Sequence, residues 1–441
     1  MARSAGSPTP VARLEGADRM QWESDVGPFP QHMVAVLFLE PSSAPAEEWA
    51  RAMTQRLGGI PLLGRRPARP PFGGGPWVWL DDDRDPAGHV DVGRSEGADD
   101  AAMVDQAMAL AAQPMPRGRS PWRARVLVGP DGAVRALVLV LHHALADGLN
   151  GLLLLGALVD GVPVSAPTSV TAPPDRAALA RDAWSRRLRA ARALPTLLPA
   201  LRAGWQEMGG GRTPRAPRTP VTRPTGPRRE VVALDLGLDA VRQAAHRDGA
   251  TVTDVLLVAA ASALDGVSER AGTPLPTVVV SVPVAVTGPG GQGTAGNAVG
   301  AIRMPVPTRG DPAARVRTVS ALRRERLAAT HGRSLPLVLA SFRVLTTLGL
   351  VRFFLDHQRL VNTLVTSMRG PDHPLTILGT SVRRVVPVVV NQGNQTVSFA
   401  ALGYAGTLTV SVITDPDAGP RAVEVARRLR VETDRILHPP G

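Results

Sequence analysis

The sequence contains no cysteine and no lysine, and aromatic residues make up only 3% of its 441 positions. The absence of cysteine excludes disulfides, thiol nucleophiles and thiolate metal ligands. Because lysine is absent, all 50 basic residues are arginines, and the net charge of +12 favours anionic partners. So few aromatic residues offer little surface for base stacking, and no zinc-finger or helix-turn-helix pattern occurs. We therefore expect no nucleic-acid partner.

Long uninterrupted apolar runs are also absent. The most apolar stretch, residues 335–355, is interrupted by Arg343 and Arg352, so it predicts a buried helix. The alternative is a helix that lines a cavity or dips into a membrane surface. The N-terminus lacks a basic segment followed by an apolar run, the pattern of a secretory signal, so we expect a cytoplasmic protein. The length of the chain suggests two domains.

A pair of histidines at the end of an apolar run carries the clearest chemical signal. Residues 134–141 predict a buried strand, and His142 and His143 follow it directly. Because side chains alternate along a strand, the two imidazoles should point to opposite faces, one into a cavity and one into the packing. Asp147 and Gly148 then form a turn that brings a carboxylate back towards the histidines. The pattern indicates a proton-transfer site.

Two other interpretations of the pair carry less weight. A histidine beside an apolar strand is often a hydrogen-bonded core residue, but a pair with an acid four positions after its second member is less usual. A metal site is disfavoured because adjacent strand residues diverge, whereas metal ligands converge to about 2.0–2.2 Å from one ion. The sequence has no His-Glu-x-x-His segment either, so we predict no metal.

The histidine segment also carries a resemblance to a known superfamily. Residues 142–148 fit the HHxxxDG signature of the coenzyme A-dependent acyltransferases, which include chloramphenicol acetyltransferase and the condensation domains of peptide synthetases. More narrowly, the chain resembles the bacterial wax ester synthase/diacylglycerol acyltransferase family. Besides the histidine segment, the matching segments are, in order, Leu14-Glu-Gly-Ala-Asp18-Arg-Met20, Arg119-Ser-Pro-Trp122, Gly296-Asn297, Gly370-Pro371, Pro374-Leu-Thr-Ile-Leu-Gly379 and Tyr404-Ala-Gly406.

The resemblance implies a mixed α and β (α+β) fold of two chloramphenicol-acetyltransferase-like domains, with the active site in a tunnel at their interface. The expected domains are residues 1–165, with HHxxxDG, and residues 230–441; a linker rich in proline and arginine, residues 166–229, holds a basic helix. Apolar periodicity predicts strands at 33–39, 77–80, 123–128, 134–141, 230–234, 277–286, 381–390, 396–403 and 408–414, and helices at 47–57, 101–112, 148–159, 176–202, 251–264, 313–329 and 420–437.

The resemblance also implies an enzyme that moves a long-chain acyl group from acyl-CoA, its co-substrate, to a lipid hydroxyl. The product would be triacylglycerol from diacylglycerol, or wax ester from a fatty alcohol. His143, with an ordinary pKa of about 6.5, would be the general base. Asp147 would hold its orientation, His142 would be structural, and Gly148 would permit the close turn. Without a cysteine nucleophile we expect direct transfer, no acyl-enzyme and no further cofactor.

The remaining site residues are expected on the acceptor side and in the tunnel. Transfer of the acyl group needs a donor that stabilises the oxyanion, and resemblance assigns this role to Asn297, with Thr253 or Ser367 as alternates. Asp254 is expected to position substrate beside Thr253. Trp122 and Gly296 are expected to line the substrate tunnel.

The chain departs from the family's pattern at the acceptor-side motifs. The family's Asn-Asp pair reads Thr253-Asp254, and its Ser/Thr-Asn-Val-Pro-Gly-Pro motif reads Thr366-Ser-Met-Arg-Gly-Pro371. Two alternatives therefore stay open: acylation of a different hydroxyl or amine in secondary metabolism, and a catalytically silent lipid-binding protein. The substrate class and the basic stretch at 184–205 suggest peripheral attachment to the cell membrane or lipid droplets, although a solvated helix explains that stretch equally well.

Overall fold

The computed structural model describes residues 11–97, 99–145, 151, 154–162, 172–207, 214–285, 299–329, 334–389 and 391–439. Its framework is two six-stranded sheets with helices packed against them, and a separate hairpin of β2 (Arg65–Ala68) and β3 (Val78–Asp81). The mixed α and β two-domain fold predicted from the sequence is confirmed. The residue ranges of the two domains and the tunnel between them stay predictions.

The first sheet contains the strand that leads to the histidines. Its strands are β1 (His32–Ser42), β4 (Val90–Arg94), β5 (Trp122–Val128), β6 (Val134–His142), β11 (Thr376–Ile377) and β12 (Thr380–Val389). Their spatial order is β11-β12-β1-β6-β5-β4, and only β4 and β5 pair in parallel. Every residue of β6 except Arg135 is buried. A central strand covered on both faces accounts for the nearly continuous apolar sequence.

The second sheet is built from the C-terminal half of the chain. Its strands are β7 (Glu230–Gly237), β8 (Thr277–Ala285), β9 (Val299–Pro307), β10 (Thr363–Arg369), β13 (Val397–Tyr404) and β14 (Thr407–Thr414). Their order is β7-β14-β13-β10-β8-β9, and β10 runs parallel to both of its neighbours. Parallel neighbours require long connections, so helices separate β8 from β10 along the chain.

The described helices cover these sheets and form the linker. They are α1 (Gly16–Glu23), α2 (Ala46–Gly58), α3 (Asp100–Ala111), α4 (Arg176–Arg192), α5 (Leu194–Glu207), α6 (Leu238–Arg247), α7 (Val252–Arg270), α8 (Pro312–Ala329), α9 (Ser334–Thr347), α10 (Val351–His357) and α11 (Ala422–Leu437). The predicted basic helix at 176–202 is two helices, α4 and α5. Pro195 lies in the first turn of α5, where its missing N–H costs no hydrogen bond.

The C-terminal half of the chain contributes two strands to the first sheet. β11 and β12 belong to the C-terminal range, yet β12 pairs along β1 in the first sheet. Tyr404, at the end of β13 in the second sheet, connects the two sheets. Its hydroxyl donates to Val382 O of β12 and accepts from the Leu375 N–H just before β11, each at 2.7 Å. Sequence order therefore does not separate the two sheets completely.

The prediction of a buried helix at residues 335–355 was wrong. The segment forms α9 and α10, and no residue of α9 is buried. The chain turns at Gly349, whose φ of +68° suits glycine, and Arg343 and Arg352 keep parts of both helices in solvent. Within the described ranges, no single helix is long and apolar enough to span a membrane. Two bent pairs meet the length and composition criteria together, α6 with α7 (94°) and α9 with α10 (118°).

Candidate active site

The two histidines lie where β6 ends and a tight turn begins. The His142 N–H donates to Pro121 O and the His143 N–H donates to Gln31 O, both at 2.9 Å, so β5 and the start of β1 hold the backbone from either side. The Leu145 N–H closes the turn on His142 O at 2.9 Å. The backbone of both histidines is therefore anchored on the segments that lead into β5 and β1.

The side chains of β6 alternate between two hydrophobic clusters on opposite faces of the strand. Leu137, Leu139 and Leu141 belong to one hydrophobic cluster, whereas Val138 and Val140 belong to the cluster on the opposite face. His142 continues the second series and is 2% exposed. His143 is the first residue after β6 and is half-buried. The first cluster also contains Leu145 of the turn and Leu402 and Tyr404 of the second sheet, so both halves of the chain meet beneath the turn.

The His142 ring is fixed in one neutral tautomer by its hydrogen bonds. Its Nδ1 accepts from the Ala144 backbone N–H at 3.0 Å. Because Nδ1 acts as an acceptor, the ring proton is on Nε2, which donates to Asp25 Oδ2 at 3.2 Å. The Trp22 ring packs against it with centroids 4.7 Å apart. His142 thus shapes the turn that presents His143.

Asp25 is a residue of the site that sequence analysis missed. Burial alone would raise its pKa, but the hydrogen bonds from His142 and from the Gln31 N–H, which donates to Oδ1 at 3.0 Å, hold the pKa below its usual value. The Gln31 side chain in turn donates to Ser24 Oγ at 2.9 Å. The carboxylate therefore connects the segment after α1 to the histidine turn.

His32 lies opposite His142 on β1, with the two rings 6.0 Å apart in an edge arrangement. Its Nδ1–H donates to Ala111 O at 2.7 Å, and burial lowers its pKa from 6.5 to about 4. A neutral histidine is therefore built into the packing directly behind the site.

The buried His32 predicts an acid-sensitive fold. Below pH 6.5 the unfolded chain binds a proton that folded His32 does not take up until about pH 4. The free energy of unfolding should therefore fall as the pH drops through this window, by about 3 kcal/mol from this residue. Chemical denaturation at a series of pH values measures the loss. His32→Gln, which keeps a donor for Ala111 O, should show a shallower pH dependence; equal slopes in both proteins would contradict the assignment.

Four of the predicted site residues, Asp147, Gly148, Gly296 and Asn297, lie outside the described residues. Their roles stay predictions. Of the acceptor-side candidates, Thr253 is half-buried in the first turn of α7, and Ser367 is half-buried on β10, where it pairs with Ala401. Met368, next to Ser367, is partly buried and packs against the cluster beneath the histidine turn.

The geometry of Asp254 is that of a structural residue. Its side chain is fully buried, and Oδ2 accepts from the Thr251 N–H at 2.9 Å and from the Thr251 hydroxyl at 2.8 Å, which caps α7. Arg323 of α8 donates to Oδ1 at 2.6 Å and to Oδ2 at 3.1 Å. Both oxygens are occupied by the fold, so the structure corrects the expectation that Asp254 positions substrate.

Trp122 likewise packs in the core. It is 2% exposed, its Nε1–H donates to Leu63 O at 2.9 Å, and its ring stacks on His89 with centroids 4.4 Å apart. An indole that is enclosed and fully hydrogen bonded offers no surface to a substrate. The expected tunnel-lining role is therefore replaced by a packing role at the start of β5.

The sequence contains one Gly-x-Ser-x-Gly segment, residues 93–97, the pattern of a serine nucleophile elbow. Ser95 follows the edge strand β4, is 3% exposed, and donates its hydroxyl proton to Gly97 O at 2.7 Å. An elbow instead presents its serine to a histidine base at a strand-to-helix turn. Ser95 is therefore a turn residue.

A search for metal sites gives the same kind of result: no group of three or more histidines and carboxylates in the described ranges could hold a metal ion.

Comparison with known proteins assigns the family. A family model described as the wax ester synthase/diacylglycerol acyltransferase catalytic domain matches residues 14–256, more than half of the chain. The chain belongs to the wax ester synthase/diacylglycerol acyltransferase family. The C-terminal domain model of the same family, WS/DGAT, matches residues 295–436. The resemblance derived from the ordered motifs is thereby confirmed.

Relatives of the WS/DGAT family occur in mycobacteria. A protein of Mycobacterium tuberculosis (strain H37Rv) named as a diacylglycerol O-acyltransferase is 31% identical over 306 residues, which cover 63% of this chain and 64% of that relative. The chain thus spans somewhat less than two thirds of that protein's length. A protein of Mycobacterium bovis with the same designation is 25% identical, with 91% of this chain and 90% of the relative covered.

Solved structures show the same fold at low identity. The wax ester synthase/diacylglycerol acyltransferase from Marinobacter aquaeolei VT8 superposes with a TM-score of 0.68 at 17% identity, over 96% of this chain and 98% of that chain. The first condensation domain of the CDA synthetase gives 0.65 at 17% identity, over 99% and 98%. The starter condensation domain of rhizomide synthetase, solved with C8-CoA, gives 0.63 at 15% identity, over 97% and 94%.

Proposed function

We propose that this protein is an acyl-CoA-dependent O-acyltransferase that transfers a long-chain acyl group to a lipid hydroxyl. Membership of the WS/DGAT family supports the reaction class. The observation that carries the proposal is the difference between the two histidines. His142 is held by Asp25 and the Ala144 N–H, whereas His143 is half-buried at the start of a turn whose Leu145 packs in the cluster that both halves of the chain share.

In the proposed mechanism His143 acts first as a base and then as an acid. It removes the proton from the acceptor hydroxyl while that oxygen attacks the thioester carbonyl of acyl-CoA. The C–S bond of the tetrahedral intermediate then breaks, the ester forms, and the same proton passes from His143 to the departing CoA thiolate. Both substrates are bound at once, and no acyl-enzyme is formed. Asn297 is the proposed donor to the oxyanion, with Thr253 or Ser367 as alternates.

We propose diacylglycerol or a long-chain alcohol as the acceptor, because relatives along most of the chain are named for diacylglycerol acylation. The second candidate is a different hydroxyl or amine of secondary metabolism. Two observations favour it: condensation domains of peptide synthetases superpose almost as well as the Marinobacter enzyme, and Thr253 and Ser367 stand where the family pattern has asparagine. No further cofactor enters either reaction.

The linker helices and the α9–α10 pair support a peripheral location at the inner face of the cell membrane or at lipid droplets. Large apolar side chains on these helices are exposed to solvent, and arginines lie between them. An amphipathic surface of this composition binds anionic lipid interfaces. The exposed apolar residues include Trp184, Leu188, Leu198, Trp205, Leu348 and Phe353.

An acceptor panel tests the proposed reaction. The purified protein is incubated with palmitoyl-CoA and either diacylglycerol or hexadecanol in anionic phospholipid vesicles, while released thiol and ester product are followed. We expect thiol release that depends on one of these acceptors, and slower release in neutral vesicles. Release only with another hydroxyl or amine would favour the second candidate. Lipid binding without release from any acceptor would overturn the enzymatic assignment in favour of a silent lipid-binding protein.

A further inference from the structure

A basic cavity is formed by α1, the loop at residues 69–77, α4 and α9. Its volume is about 710 Å³, and a single acidic residue, Glu23, lines it. Trp77, Phe72 and the prolines of the loop form its apolar wall. The lining arginines are Arg19, Arg69, Arg186, Arg187, Arg189 and Arg343.

The wall of the cavity is a built part of the fold. Buried Arg13 donates through Nη1 to Gly74 O and Pro76 O, each at 2.7 Å, and through Nε to Asp182 at 2.8 Å. Gly75 has a φ of +85°, and a Cβ there would lie 2.9 Å from the Ala183 Cβ of α4. The loop is therefore clamped against α4, and the cavity between them is preorganised.

The charges in the cavity are not balanced by the fold. Arg19 pairs with Glu23 at 2.8 Å, and Arg186 pairs with Asp182 at 3.1 Å and with Glu15. The other four arginines form no ion pair with any residue in the described part of the chain. Guanidinium groups gathered around one space repel each other, and a ligand with several phosphate oxygens would remove that repulsion through charge-assisted hydrogen bonds.

The aromatic wall and the position of the cavity restrict the class of ligand that would fit it. Trp77 contacts Trp22 with ring centroids 5.7 Å apart, and Trp22 contacts His142 at 4.7 Å. Trp22 therefore lies between Trp77, in the wall of the cavity, and His142. Aromatic and guanidinium faces suit a purine ring, and clustered arginines suit its phosphates. An anionic lipid headgroup shares the phosphate but lacks the purine.

We propose that this cavity binds the phosphorylated adenosine end of acyl-CoA, so that the thioester extends towards the histidine turn. The inference rests on the proposed acyltransferase function. It assigns the CoA head to the N-terminal half, between α1 and the linker helix α4. Arg187 and Arg189, which are exposed and pair with no described residue, are assigned to the phosphates.

Calorimetric titration with free coenzyme A and with adenosine 3′,5′-bisphosphate tests the site directly, because it needs no turnover. The double variant Arg187→Ala/Arg189→Ala should weaken both ligands roughly tenfold or more, and salt should weaken wild-type binding. The matched control is Arg181→Ala/Arg192→Ala on the same helix, which removes the same charge outside the cavity and should change either Kd less than twofold. Unchanged coenzyme A binding in the first variant would overturn the proposal.

Two further measurements separate the alternatives. In turnover, the Arg187/Arg189 variant should raise KM for palmitoyl-CoA with little change in kcat, and should retain the wild-type rate with S-palmitoyl-N-acetylcysteamine, which has no nucleotide. If the variant loses affinity for phosphatidylglycerol vesicles but not for coenzyme A, the cavity is a headgroup site and the proposal fails. If wild type binds coenzyme A through these arginines but releases no thiol from any substrate, the proposed reaction fails while this site stands.

Discussion

Replacing His143 by alanine should abolish acyl transfer while leaving the protein folded. Removing a general base that also serves as the acid typically lowers a rate by about 10²–10⁴-fold, and here one imidazole performs both steps. The fold should tolerate the change because the side chain is half-buried and the backbone N–H that anchors the turn to Gln31 is retained. We therefore expect a loss in kcat with palmitoyl-CoA and a melting temperature close to that of wild type.

The exposed histidine after α11 provides a matched control for this experiment. His438→Ala removes the same side chain from the surface and should leave both turnover and melting temperature unchanged. Wild-type turnover in folded His143→Ala would show that the proposed mechanism is wrong. A loss of turnover that is accompanied by a large drop in melting temperature would assign His143 a structural role instead.

The apolar pattern predicted most of the elements because each signal is local. The strand at 134–141 is β6, and the helix at 313–329 is α8 with one more residue at its start. β10 was not predicted, since its sequence mixes Thr, Ser and Arg with few apolar residues. It is a strand because β8 and β13 pair with it from both sides, and no local pattern encodes distant partners. The pairing of β12 with β1 in the first sheet was missed for the same reason.

The site residues likewise include some that local sequence patterns predict and some that depend on distant parts of the chain. Strand alternation predicted that the two histidines would lie on different faces, and β6 has that alternation up to His142. Asp25 was missed because 117 residues separate it from His142 along the chain. Asp254, by contrast, was assigned a function although the local spacing Thr251-x-x-Asp254 already indicated a helix cap. At this residue the family motif coincides with the local cap signal, and the structure shows the cap.

Replacing Asp254 tests whether its carboxylate stabilises the fold or contacts the substrate. Asp254→Ala should lower the free energy of unfolding by about 3 kcal/mol, because it removes the cap of α7 and leaves Arg323, which is only 15% exposed, without its carboxylate. Chemical denaturation measures the loss. Turnover per folded molecule should stay within about twofold of wild type, since a cap is not a substrate contact.

Two neighbouring substitutions make the Asp254 result interpretable. Asp254→Asn keeps an oxygen acceptor for the Thr251 N–H but removes the charge that Arg323 requires, so its loss of stability should lie between those of wild type and Asp254→Ala. Thr253→Ala changes a half-buried hydroxyl in the same turn and should alter stability by less than about 1 kcal/mol. If Asp254→Asn kept full stability but lost turnover, the carboxylate would act on the substrate after all. If Thr253→Ala alone lost turnover, the acceptor-side role would belong to that hydroxyl, one residue away from the buried acid.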